Sequence, residues 1–114
     1  MLAEKIQTLY TRGLFNTRIK DFYDIYILYK LKYDDINFLI LLNACKNTFI
    51  YRKTEFNLHK ILEIIKEISE REEFRKLWKS YQDKFPFAKG INFNEVVNSA
   101  EMMINELISR DNVC

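Results

Sequence analysis

The segment Thr17-Arg18-Ile19-Lys20-Asp21-Phe22-Tyr23-Asp24-Ile25-Tyr26-Ile27-Leu28-Tyr29-Lys30-Leu31 contains neither Gly nor Pro. At helical spacing its apolar residues Phe22, Tyr23, Ile25, Tyr26, Ile27, Leu28, Tyr29 and Leu31 point in almost every direction around the axis. A helix that is apolar all round must be surrounded, so residues 17–31 are predicted to form the central, buried helix of an all-α domain.

The flanking sequence supports that class. Only one Pro (Pro86) and two Gly (Gly13, Gly90) interrupt the 114 residues, and apolar positions recur every three or four residues, not every second one. A first helix places Leu2, Ile6, Leu9 and Tyr10 on one face and stops at Gly13. Asp34 or Asp35 is expected to cap a third, largely buried helix running through Ile36 to Ala44 toward Phe49. Thr54 is expected to open a fourth helix with the stripe Leu58, Ile61, Leu62, Ile65 and Ile68. Ser69 with Glu72 has the spacing of a capping box for a fifth, whose stripe is Phe74, Leu77, Trp78, Tyr81 and Phe85. Pro86 and Gly90 then break the chain. Asn92 with Glu95 repeats the box ahead of a last helix that buries Val96, Val97, Ala100, Met103, Ile104, Leu107 and Ile108. The expected architecture is a compact bundle of about six helices forming a single domain over residues 1–114.

Composition excludes several chemistries. Eighteen Lys and Arg against sixteen Asp and Glu leave a net charge of +2, too little for a surface that grips nucleic acid throughout, so any basic site is local. One His and two Cys are too few for a structural zinc site or a disulfide scaffold, and two separated Gly cannot build a phosphate-cradling loop. No metal site is expected within the chain. The longest apolar run, residues 38–42, falls far short of the roughly 20 residues that cross a bilayer. With no signal-peptide pattern at Met1-Leu2-Ala3-Glu4-Lys5, a cytoplasmic protein without membrane attachment is expected. His59, Cys45 and Cys114 read as packing or surface residues, and Trp78 and Tyr81 as core.

Charge inside the greasy helix is the exception. Asp21 and Asp24 lie about 60° apart on a helix, and Asp24 falls between the directions of Leu28 and Leu31, which predicts partial burial. An unpaired buried carboxylate costs several kcal/mol, so a cation is required, and Lys20, Arg18 or Lys5 can supply it. Lys5 sits at the edge of its own apolar stripe, where a long side chain lies along the core and offers its amine to a cleft. Taken alone, these residues read as a structural ion pair first and as an active site second.

The segments Leu2-Ala3-Glu4-Lys5-Ile6, Arg12-Gly13, residues 16–26 and Ala44-Cys45-Lys46-Asn47-Thr48-Phe49 with Arg52 resemble, in order and spacing, the C-terminal half of the AbiEii/AbiGii toxin family of nucleotidyltransferases. Trp78-Lys79-Ser80-Tyr81 and the last helix extend the resemblance over essentially the whole chain. In that family an N-terminal α/β domain carries a Gly-Ser stretch and a metal-binding Asp-x-Asp pair, and a helical domain closes the other side of the nucleotide cleft. The resemblance implies that Lys5 matches the family lysine that neutralises a nucleotide phosphate. It also implies that Lys20, Asp21 and Asp24 match a Lys-Asp-x-x-Asp motif, with Asp21 the active-site acid and Asp24 and Lys20 in support. Arg18 becomes a further phosphate or structural contact.

The implied function is one side of an NTP cleft in a toxin of toxin–antitoxin or abortive-infection systems, transferring a nucleotidyl group to an acceptor such as RNA with Mg²⁺. No Gly-Ser followed by Asp-x-Asp occurs in this chain, so the catalytic N-terminal domain is expected to be absent. The chain alone is then expected to be inactive, to bind NTP weakly and to hold no cofactor tightly. An apolar patch near Leu2, Ile6 and Phe15 is expected to meet that domain or a second copy, and a cognate antitoxin is a further expected partner. The alternative from another class is a non-enzymatic helical interaction or dimerisation module.

Overall fold

In the computed structural model, which describes residues 2–12 and 19–113, the polypeptide forms helices α1 (Leu2–Arg12), α2 (Ile19–Leu31), α3 (Phe38–Tyr51), α4 (Leu58–Glu70), α5 (Glu72–Lys84) and α6 (Phe93–Val113). Short 3₁₀ turns at Tyr33–Asp35 and Pro86–Ala88 join α2 to α3 and α5 to α6. There is no strand among the described residues. The radius of gyration is 13.8 Å, against about 13 Å for a compact domain of this length, so the helices close on one core. The all-α bundle predicted from the sequence is the fold observed.

α2 and α6 pack along one another, with α4 and α3 also against α6 and α5 against α2. Ile19, Phe22, Ile25 and Tyr29 of α2 are buried, and Tyr23, Tyr26, Ile27 and Leu28 are half-buried. Leu31 is 71% exposed, so the helix is enclosed along most but not all of its length. Its partner α6 buries Val96, Val97, Ala100, Met103, Ile104 and Leu107. Cys45 is fully enclosed, and burial pushes its thiol up to about 12, which makes it an inert core residue as expected. His59 is on the surface.

The helix starts differ from expectation in three places. Asn37, not Asp34 or Asp35, caps α3, its Oδ1 accepting from the backbone N–H of Leu39 and Ile40, both at 3.1 Å, while the two acids sit in the preceding 3₁₀ turn. α4 is capped by Asn57, which accepts from the Lys60 N–H at 3.1 Å, so Thr54 belongs to the connection before it. Ser69 lies in the last turn of α4 and donates to the Lys66 carbonyl; Arg71 alone separates α4 from α5 and makes no side-chain cap. The Asn92 box is present, with Asn92 Oδ1 accepting from the Glu95 N–H at 2.9 Å.

Burial also corrects three expectations. α3 is not largely buried: Leu39, Ile40, Ile50 and Tyr51 face outward while Leu41, Leu42, Cys45 and Phe49 face the core. Leu77 stands outside the α5 stripe that Phe74 and Trp78 bury. Ile6 is fully enclosed and Leu2 half-buried, so the apolar surface expected around them is taken up by the bundle itself, while Gly13, Phe15 and Cys114 lie outside the described residues.

Two polar tethers fix the helices that frame the site. Trp78 Nε1 donates to the Ile91 carbonyl at 3.0 Å and Gln82 Nε2 to the same oxygen at 2.8 Å, tying α5 to the segment that enters α6. Gln7, buried in α1, donates to Thr11 Oγ1 at 2.7 Å and Thr54 Oγ1 at 3.0 Å and accepts from Arg52 at 2.6 Å, pinning the α3–α4 connection to α1.

Candidate functional site

Lys5 on α1 reaches across to the first two turns of α2. Its Nζ lies 2.7 Å from Asp24 Oδ2 and 3.5 Å from Asp21 Oδ1. Lys20, one turn before Asp24, stands 3.6 Å from the same Oδ2. Among the described residues, the sequence requirement for a cation beside these carboxylates is met chiefly by Lys5, which comes from another helix. α1 delivers it because Ile6 and Leu9 bury that helix against the core, leaving position 5 at the boundary with water.

Burial is graded across the cluster. The Asp21 side chain is 6% exposed, Asp24 25%, Lys5 22% and Lys20 71%. The sequence pointed to Asp24 as partly buried, which it is, but Asp21 is the deeper acid. Lys5 is held above the usual lysine range, first by the hydrogen bond to Asp24, against the opposing effect of its own burial, and then by the charges of both acids. It is therefore a fixed cation at neutral pH, not a proton acceptor. Its ammonium has three N–H donors, and two carboxylates face it.

The structure thus brings Lys5, Lys20, Asp21 and Asp24 together, while Arg18 lies outside the described residues. Tyr81 of α5 is a neighbour that sequence reasoning assigned only to the core. Its ring lies 5.7 Å from that of Tyr23 on α2, and its phenol is raised first by burial and then by the Asp24 charge. Only the packing of α5 on α2 creates that proximity, and the spacing of residues along the chain carries no sign of it.

The described residues do not fit a divalent metal. No group of three or more His, Cys, Asp or Glu converges among them, and the two carboxylates that do converge already face ammonium groups. Nor is any helix among them long and apolar enough to cross a membrane.

Among the described residues, a lysine of the first helix and an Asp-x-x-Asp pair of the second thus form a charge cluster at the edge of the helical core. The family model for the nucleotidyl transferase AbiEii toxin, of type IV toxin–antitoxin systems, matches residues 1–99, and the chain belongs to that family. No curated protein and no solved structure matches it.

Proposed function

We propose that this chain forms one wall of an NTP cleft and that Lys5 is its phosphate contact. Family membership and the Lys5–Asp24 contact of 2.7 Å support the reading together. Asp24 and Asp21 use two of the ammonium's three donors and leave one for a phosphate oxygen. Their charge keeps Lys5 protonated, so it offers a positive charge without reorganisation, which is how nucleotidyl transfer is served by preorganised groups. Lys20 adds a second cation at the solvent edge, and Arg18 is carried as a third from the resemblance alone. Asp21, being nearly enclosed, acts in this reading through Lys5 as a positioning residue.

Metal ions that hold the triphosphate and activate the acceptor come from groups other than the described residues, and an RNA acceptor is part of the proposal. The 114-residue chain alone is then inactive. A titration of the full chain with NTP and Mg²⁺, followed by NMR shifts, should show weak binding that Lys5→Ala lowers at least fivefold. Unchanged affinity in that variant overturns the assignment of Lys5. Transfer of labelled nucleotide to bulk tRNA by the chain alone overturns the statement that the metal ligands lie elsewhere.

A further inference from the structure

Beside the Lys5 cluster, α2 and α5 enclose an open groove of about 370 Å³, within the ~300–1,000 Å³ typical of small-molecule sites. Leu77, Tyr81 and Phe85 give it an apolar lining, and Lys20, Ser80 and Lys84 line it as well. Its charge is one-sided. Among the described residues, two ammonium groups and no carboxylate line it, whereas the larger cavity at Tyr10 sets Glu55 and Glu63 against Lys53 and Lys60, and the one beside Ser69 carries Glu95 and Glu101. Leu77, 47% exposed, presents its apolar side chain to the groove. Lys84 Nζ rests 5.8 Å from the centre of the Phe85 ring, so the cation and the aromatic surface adjoin.

The groove is also continuous with the cluster. Lys20 lines it and meets Asp24 Oδ2, the oxygen that Lys5 holds, so the two ammonium groups are no further apart than two ion-pair contacts. Tyr81 lines it and feels the Asp24 charge. Asp21 and Asp24 oppose an anion at this end, and Lys5 and Lys20 offset them.

We propose that this α2–α5 groove is a nucleotide-base site: a planar base lies on Leu77, Tyr81 and Phe85, and its phosphates run past Lys20 toward Lys5. The apolar surface suits a flat ring, because bases stack on aromatic side chains irrespective of sequence. The open, short groove leaves no room to enclose a long aliphatic tail, and the lysines favour an anionic ligand. The run of phosphates toward Lys5 rests on the proposed function above, whereas the base site itself does not. The base belongs either to a free NTP or to the end of a single-stranded acceptor.

The test compares ATP, inorganic tripolyphosphate and a five-nucleotide single-stranded RNA as probes of the full chain, using backbone NMR shifts and fitted affinities. Ser80→Tyr fills the groove and Lys84→Glu reverses its outer charge; both positions are exposed, and thermal melts verify that each variant folds. ATP should shift the amides of Leu77, Ser80 and Phe85, and Ser80→Tyr should weaken ATP about tenfold while leaving tripolyphosphate within twofold. Lys84→Glu should weaken ATP at least threefold. Shifts produced by the RNA but not by ATP support the site and assign its base to the acceptor. If neither ATP nor RNA moves those amides at millimolar concentration, or if Ser80→Tyr leaves ATP and RNA binding unchanged, the groove is not a base site. Loss of ATP affinity on Lys5→Ala without any effect of Ser80→Tyr refutes the groove alone, and the reverse pattern refutes the phosphate role of Lys5 alone.

Discussion

Lys5 Nζ lies 2.7 Å from Oδ2 of Asp24, a residue 19 positions further along the chain, and this contact joins the first two helices at the boundary of the core. The pair is asymmetric. Asp24 has a second cation in Lys20 at 3.6 Å, while the contacts of Lys5 are with Asp24 and Asp21.

Because the folded-state pKa of Lys5 is raised above its ordinary value of 10.5, chiefly by the hydrogen bond to Asp24, the pair stabilises the fold fully below that value. The contribution fades as pH rises through the folded-state pKa. Lys5→Met should cost about 1.5 kcal/mol at pH 7, the low end for a charged hydrogen bond, since water still reaches the ammonium. Urea melts of wild type and Lys5→Met at pH 7 and at pH 11.5 check this. Their difference should shrink at the higher pH, and an undiminished gap there would mean that lost packing, not charge, accounts for the effect.

Ile25 and Tyr26 are adjacent on α2 but differ in burial. Ile25 is 2% exposed, whereas Tyr26 is half-buried with its phenol raised by burial and then by the neighbouring Glu95. Ile25→Asp places an unpaired charge in the core and should cost more than about 4 kcal/mol, a large part of the ~5–15 kcal/mol that holds a domain folded. Tyr26→Asp sets a carboxylate beside Glu95 and should cost about 2–3 kcal/mol with folding retained. Circular dichroism melts separate the two, and equal stability of both variants would remove α2 from the centre of the bundle.

The helices themselves were legible because the 3.6-residue period of the apolar residues is a local property, and α6 follows it from Val96 to Leu107. Helix starts were less so. Asp34, Asp35 and Asn37 are all good caps, and the choice falls to Asn37 because the register that follows it turns Phe38, Leu41 and Leu42 into the core. The same limit applies to the site. That Asp21 and Asp24 need a cation can be read from the sequence, but selecting Lys5 over Lys20 depends on how α1 lies across α2. The α2–α5 groove and the nearness of Tyr81 to Asp24 arise from helix packing alone.

Gln7 shows how a buried polar residue escapes sequence reasoning, since its partners Arg52 and Thr54 are 45 and 47 residues away. At 3% exposure its amide is satisfied on both sides, donating to Thr11 and Thr54 and accepting from Arg52. Gln7→Ala removes those bonds and leaves a cavity, for an expected loss of about 2–3 kcal/mol. Arg52→Ala leaves the bonds to Thr11 and Thr54 and should cost about 1 kcal/mol. Chemical denaturation of both variants checks the order. A larger loss for Arg52→Ala would show that the exposed guanidinium, not the enclosed amide, holds the α3–α4 connection.

Lys53 adopts φ 55°, a left-handed conformation that ordinary side chains take at a cost. The reason is the end of α3. The Thr54 N–H donates to the Phe49 carbonyl at 2.8 Å and the Lys53 N–H to the Ile50 carbonyl at 3.0 Å, the paired bonds of a Schellman ending with residue 53 at its left-handed position. Glycine meets that geometry without a Cβ penalty, although it adds freedom to the unfolded chain. Lys53→Gly should therefore stabilise the fold by about 0.5–1 kcal/mol, and Lys53→Val, branched at Cβ, should destabilise it by at least as much. Thermal melts of the three proteins at one concentration decide the matter. A lower melting temperature for Lys53→Gly would mean that the lysine side chain contributes more, through its place beside Thr54 and Glu55, than its backbone costs.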